Sequence, residues 1–400
     1  MYRKIATINL LVLVMAGLIF TGCGPKQRAA EGLLDTPESH YNQGMRKFEQ
    51  GNMDAAQAQF EDALYLDKKH APAHAGLALV SITRAMDIHD PKSKERKELV
   101  KQGDEHLDQA KDLDNKDVIV WIAHIRYHSI KKKGDDWIKD CEKGLKKALK
   151  INPESDEAYY YMGIAYKEAY DFRQSEDMLR NALEIDGMYS EKAGLAMQLV
   201  HKIVEAQPGT KYGKIIALVD EINRADLAVL FIEELNVVER IKRRKSAKST
   251  PDLSFQAAED PLKFGVGEEG QEGTEILDIE SHWAQSMIRD FVEVGLFDVM
   301  QDHKFYPDEA VTRIEFAGTV QRLIYMVTQD EAIFSKYIGE KESHIRDMRT
   351  DHPYYGAAML SVERDIMDLD KITGYFHPND HVGGADALLF IRDIKNALKW

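Results

Sequence analysis

The chain has 400 residues, 44% hydrophobic and 30% charged, enough for two or three domains with their own cores and too ordinary for a collagenous, disordered or polytopic protein. Its 53 Lys and Arg against 68 Asp and Glu leave a formal charge of -15, which repels nucleic acid phosphates unless a basic face is segregated. Two cysteines, Cys23 and Cys141, exclude a disulfide framework and a multi-cysteine zinc site.

Arg3 and Lys4 precede an apolar run from Ile5 to Phe20, and the small residues Thr21 and Gly22 lead into Cys23. This layout predicts an export signal over residues 1–22. The run of roughly 16 residues is marginal for a hydrocarbon layer about 30 Å thick, so a permanent span is the weaker reading. Phe20-Thr21-Gly22-Cys23 resembles the bacterial lipobox. The resemblance implies cleavage before Cys23, which leaves it N-terminal and diacylglyceryl-modified, with acyl chains such as palmitate, and a body tied to a bilayer by two or three chains. The alternative is a cleaved signal followed by a stray thiol. Gly24, where an aspartate in such lipoproteins favours inner-membrane retention, fits outer-membrane sorting.

Residues 37–189 repeat. Gly44, Gly51, Ala56, Phe60, Ala63 and Leu66 recur at the spacing of Gly163, Tyr170, Ser175, Leu179, Ala182 and Ile185. Leu107, Ala110 and Leu113 end a second copy, and Trp121, Cys141, Leu145, Ala148, Ile151 and Pro153 mark a third, with insertions around Asp87–Arg96 and Lys131–Asp136. Small residues at matched positions let paired helices approach, while large ones fill the seam. The pattern resembles the tetratricopeptide repeat. That implies stacked αα-hairpins in a right-handed solenoid, with a concave face built by the first helix of each pair. Tyr41, Met45, Leu79, Tyr160, Ile164 and Lys167 are predicted on that face as a groove for a partner helix or extended peptide, packing against neighbouring repeats being the alternative. Some repeats of this family clamp a terminal carboxylate with Lys and Asn, but Tyr41, Met45, Tyr160 and Ile164 hold those places here. Cys141, aligned with Ala56 and Ser175, reads as a buried small residue.

Residues 190–241 read as capping helices: one from Ser190 to Val204, broken at Gln207-Pro208-Gly209-Thr210, then Ile215–Val219 and Leu227–Val238. Residues 242–275, with two prolines and four glycines, read as a linker. Its basic cluster Lys242–Lys245 complements a helix C-terminus.

Asp278, His282-Trp283-Ala284, Gly295, Phe305-Tyr306-Pro307 and Thr312-Arg313-Ile314-Glu315-Phe316 resemble an S-layer homology module over residues 276–328. Ser281 is a candidate cap for its first helix, Gly295 a stop, and Thr312 with Glu315 a capping box for the second. Residues 343–398 repeat the pattern divergently, aligning Tyr354 with Trp283 and Phe376-His377-Pro378 with the loop, but Gly383-Gly384 replaces Thr312-Arg313. Ile222-Asn223-Arg224-Ala225-Asp226-Leu227 resembles the opening of another second helix, so residues 190–240 are expected to give a degenerate first lobe around a pseudo-threefold axis. The resemblance implies non-covalent binding of a cell-wall glycan, with Arg313, Glu315, Trp283 and Arg224 as candidate site residues. A guanidinium offers a bidentate fork to a ketal carboxylate; the alternative for both arginines is pairing with a neighbouring acid. Trp283 reads first as a core anchor, second as a sugar platform.

His377 and His381 lack helical spacing and a third partner, so no metal is expected, and no cofactor. No nucleophile elbow, phosphate loop or dinucleotide fingerprint occurs, so no enzyme is expected. The expected class is all-α: a tetratricopeptide solenoid followed by helical S-layer homology lobes. The expected function is a lipid-anchored envelope adaptor, in the outer membrane facing the periplasm, that binds wall polysaccharide or a peptidoglycan-linked polymer and recruits a protein. The rival is a scaffold of an export or assembly machine whose lobes no longer hold glycan, which the loss of arginine at Gly384 favours.

Overall fold

The computed structural model describes residues 30, 32, 35–248 and 275–399. Cys23 and its apolar leader lie outside the described residues, as do residues 249–274. Among the described residues the chain is all-α, without a named strand, and no helix is long and apolar enough to cross a membrane. It divides into two compact units between Ala196 and Met197.

The first unit holds four helical hairpins. They are α1 (Pro37–Glu49) with α2 (Met53–Leu66), α3 (Ala71–Asp87) with α4 (Lys94–Leu113), α5 (Val118–Lys131) with α6 (Trp137–Ile151), and α7 (Asp156–Glu168) with α8 (Phe172–Ile185); α9 (Ser190–Ala206) follows. The side chains of Thr36, Asn52, Ser155 and Asp171 each accept the backbone N–H three residues on, fixing the starts of α1, α2, α7 and α8. Each such cap stabilises its helix by about 1 kcal/mol.

The first helices α1, α3, α5 and α7 pack side by side and form the inner face. Close packing depends on absent side chains. The ring of Phe60 enters between Gly44 and Gly76, where a Cβ on either would stand 2.5 Å from it. Leu179 fills the equivalent place against Gly163, at 2.7 Å. Cys141 is buried and donates its thiol to the Ile125 carbonyl at 3.4 Å. Burial pushes that thiol up to about 12, so it is no nucleophile at neutral pH.

The second unit contains α10 (Lys211–Ile216), α11 (Arg224–Val229) running into a π turn (Leu230–Glu234), α12 (Val237–Lys248), α13 (Gln285–Glu293), α14 (Arg313–Thr328), α15 (Ala332–Ser335), α16 (Tyr355–Glu363) and α17 (Gly384–Leu398). Its centre is a closed ring of backbone hydrogen bonds. The N–H of Ile222 donates to Val382, that of Val382 to Val311, and that of Val311 back to Ile222, at 2.8, 3.0 and 2.9 Å. A second tier repeats the rotation, with Arg224 donating to Glu309, Arg313 to Asp380 and Gly384 to Val219, each at 2.9 Å. Three short segments, each opening a helix (α11, α14 and α17), thus follow one another around an axis. Around it Phe231, Phe316 and Phe390 pack edge to face, with centroids 5.8 and 5.2 Å apart.

Several local expectations change. Helix α10 ends at Ile216, so residues 217–219 are not helical, and the segment expected as Leu227–Val238 breaks after the π turn, where Asn236 takes a left-handed φ of 51°. Helix α12 runs to Lys248, so the linker's first residues, 242–248, are helical. A string of long side chains there keeps helix propensity high until Ser249-Thr250-Pro251. Ser281 does not cap α13: that helix starts after Ala284 without a side-chain cap.

Candidate functional site

Helix α14 opens with the expected capping box. The Thr312 hydroxyl accepts the Glu315 N–H, and the Glu315 carboxylate accepts the Thr312 N–H at 2.9 Å. Asn223 and Asp226 form the same box at the start of α11. The loops preceding α14 and α17 are each clamped by an aspartate. Asp278 accepts the N–H groups of Phe305 and Tyr306 at 2.9 and 2.7 Å. Asp347 does the same for Phe376 and His377, at 2.8 and 2.7 Å. The middle residues Tyr306 and His377 have left-handed φ of 56° and 57°, an unfavourable conformation that such a clamp holds in place.

This frame sets the two candidate arginines in corresponding places. Arg224 reaches the Phe305 carbonyl at 3.5 Å, and Arg313 the Phe376 carbonyl at 2.7 Å. Their charges are handled differently. Arg224 is buried over the Phe297 ring and paired with Glu309 at 2.6 Å and Glu315 at 3.0 Å. Burial would raise the Glu315 carboxyl, but hydrogen bonds from the Thr312 backbone, Arg224 and the Thr312 hydroxyl hold it below its ordinary value.

Arg313 is half-buried against the rings of Phe376 and Phe390, 5.0 and 5.7 Å from their centroids. Its hydrogen bonds go to neutral carbonyls, those of Phe376 and Asp368 at 2.7 and 2.8 Å. Among the described residues no carboxylate is within ion-pair distance, although Asp386, Asp380, Asp368 and Asp347 act on it from farther out. A guanidinium has five N–H donors. Two of Arg313's are used, which leaves others for a ligand.

The structure therefore joins Glu315 to Arg224 and sets Arg313 apart. The reading of Trp283 as a core anchor is overturned: it is 55% exposed, its ring stacked on Tyr212 at 5.5 Å and tilted against His282 at 5.7 Å. The buried anchors here are Ala284, Ile288 and Phe291. Register explains the difference. His282 and His352 accept the N–H groups of Ala284 and Tyr354 through Nδ1, and these two residues directly precede α13 and α16. Tyr354 thus matches Ala284 rather than Trp283, because the second copy carries one more residue between helix start and loop.

In the first unit, Leu79 is fully buried and touches no solvent groove; residues 71–80 of α3 are buried on every side, so periodicity did not separate its faces. Tyr41 and Met45 on α1 are half-buried against the core, Tyr41 with its ring 5.8 Å from that of Phe60. Tyr160 packs against Tyr161 and Tyr189, with centroids 5.1 and 5.3 Å apart, while Ile164 and Lys167 are half-buried farther along α7. Sequence reasoning missed Arg126, Tyr161 and Tyr189. The signal for Arg126 was one cation inside the apolar run Ile122–Tyr127.

Comparison with known proteins agrees at one place. A family model described as the S-layer homology domain matches residues 275–317, the segment from the Asp278 clamp through the Arg313 helix start. The chain is also similar to a solved structure titled "Functional Characterization of Pseudomonas Aeruginosa pilF", at 16% identity over 54% of this chain and 93% of that one, with a TM-score of 0.30. No curated protein matches it.

Proposed function

We propose that this protein is a cell-envelope adaptor: its second unit holds a cell-wall glycan, its first recruits a protein, and a lipid on Cys23 ties it to a membrane. One observation supports the glycan reading most directly. Arg313 is a guanidinium whose hydrogen-bond acceptors among the described residues are both uncharged carbonyls, and it opens a helix inside the segment similar to an S-layer homology domain. Such a group suits an anionic sugar substituent.

The ring through Ile222, Val311 and Val382 supports counting three lobes, the first of them within residues 190–241. Trp283 stacked on Tyr212 presents an exposed aromatic face of the kind a sugar ring covers. Lipidation of Cys23 and placement in an outer membrane facing the periplasm rest on the amino-terminal sequence alone.

The pairing of Arg224 with two glutamates and the glycine at 384 favour a second reading, a protein scaffold whose lobes serve only as structure. Co-sedimentation of the chain with purified cell walls, before and after removal of their acidic polymer, separates the two. The adaptor pellets only with untreated walls; the scaffold stays in solution with both.

A further inference from the structure

The inner face of the first unit contains a buried cation with no acceptor. Arg126, on α5, is only 8% exposed. Its guanidinium lies over the rings of Tyr161 and Phe48, 4.2 and 5.2 Å from their centroids. No described residue accepts a hydrogen bond from it or forms an ion pair with it. The acids of that face hydrogen-bond other groups, although Glu157 acts on Arg126 electrostatically from farther out. Glu157 takes the Tyr189 hydroxyl at 2.8 Å, and Glu49 takes the Tyr161 hydroxyl at 3.2 Å and Lys192 at 3.0 Å.

A guanidinium carries its donors in its own plane, so rings that cover its flat faces leave the edge as the place where an acceptor is missing. A carboxylate is the complementary shape, since two parallel N–H groups meet its two oxygens. The tyrosines around the site supply apolar walls and hydroxyl groups beside it.

We propose that Arg126 anchors the carboxylate of an aspartate or glutamate side chain in an extended partner segment laid along α1, α5 and α7. The inference rests on the reading of the first unit as a peptide-binding surface, and it names the chemistry of the partner. Cations are absent from Tyr41, Met45, Tyr160 and Ile164, so a chain terminus would meet one guanidinium rather than a cluster of donors. A single acidic side chain asks for no more.

Two randomised decapeptide pools, one amidated and one with free carboxyl termini, are passed over the immobilised full chain. The amidated pool is expected to yield peptides with Asp or Glu at one position. Asp→Asn in a selected peptide should weaken its binding about ten-fold to a hundred-fold, Arg126→Gln should do the same, and the two losses should not add. Far-UV circular dichroism checks that Arg126→Gln keeps its helicity. If it does not fold, the Asp→Asn peptide against the unaltered chain and Arg126→Lys, which keeps charge but loses the fork, decide the matter.

Selected peptides without acidic bias, an acidic preference that survives Arg126→Gln, or binding from the free-carboxyl pool alone each overturn the proposal. Binding from neither pool overturns the peptide-surface reading itself, and this inference with it.

Discussion

The carbonyl oxygen of Ile216 lies where a side chain on Gly384 would begin: a Cβ there would stand 1.7 Å from it. Gly384 opens α17 as Arg224 and Arg313 open α11 and α14, so a third arginine at this place meets backbone where its side chain would begin. Gly384→Ala should cost about 1–3 kcal/mol through overpacking, seen as a lower midpoint in urea denaturation of the full chain. Gly384→Arg should destabilise at least as much and add no wall binding. An unchanged midpoint for Gly384→Ala would mean that the Ile216 segment yields.

The Glu315–Arg224 pair makes stability depend on acid. The folded state holds the Glu315 carboxyl below its ordinary 4.5, so its contribution is fully present above that pH and lost as pH falls through the depressed folded value. The buried Glu234 is held down in the same direction: burial raises it, but Thr210, Gly209 and Lys395 more than offset that. Urea midpoints should therefore fall below pH 4.5. Glu315→Gln should lower the midpoint at pH 7 by the equivalent of about 1–3 kcal/mol and flatten the acid limb. A variant with an unaltered acid limb would show that the pair does not set it.

Trp283 separates binding from stability. Being mostly exposed, Trp283→Ala should change folding by less than about 1 kcal/mol, whereas Phe305→Ala, at a fully buried site, should cost about 3–5 kcal/mol. If Trp283 and Tyr212 form a sugar platform, Trp283→Ala also weakens wall binding. Thermal melts paired with sedimentation read both quantities, and a large loss of stability from Trp283→Ala would restore the core reading.

Much of this was legible in the sequence because it is local. The capping box of Thr312 and Glu315, the stop at Gly295 and the small-to-large register of Gly44, Ala56 and Phe60 each depend on residues within a few turns. What was not legible depends on distant partners. Arg224 meets Glu315 across 91 positions, and Arg126 lies between Phe48 and Tyr161, helices apart in the chain. Trp283 misled because an aromatic at a helix start inside an apolar pattern fits core and surface equally.

The anchor is tested at its own residue. Cys23→Ser should turn a chain that partitions into detergent into one that remains aqueous, and the wild type should lose mass on delipidation. Equal partitioning of both forms, with no mass change, contradicts lipidation.

Arg313 carries the central claim. A charge-assisted hydrogen-bonded contact contributes about 1.5–3 kcal/mol, so Arg313→Ala should weaken sedimentation with untreated walls by roughly ten-fold to a hundred-fold. The side chain also bonds the Phe376 and Asp368 carbonyls, so some stability, about 1–3 kcal/mol, goes with it. The decisive measurement is the wall-binding isotherm of Arg313→Ala at a temperature where melting shows the variant folded, beside that of the wild type on walls with and without acidic polymer. The account predicts that the folded variant on untreated walls behaves like the wild type on stripped ones. A folded variant that binds untreated walls as tightly as the wild type contradicts it.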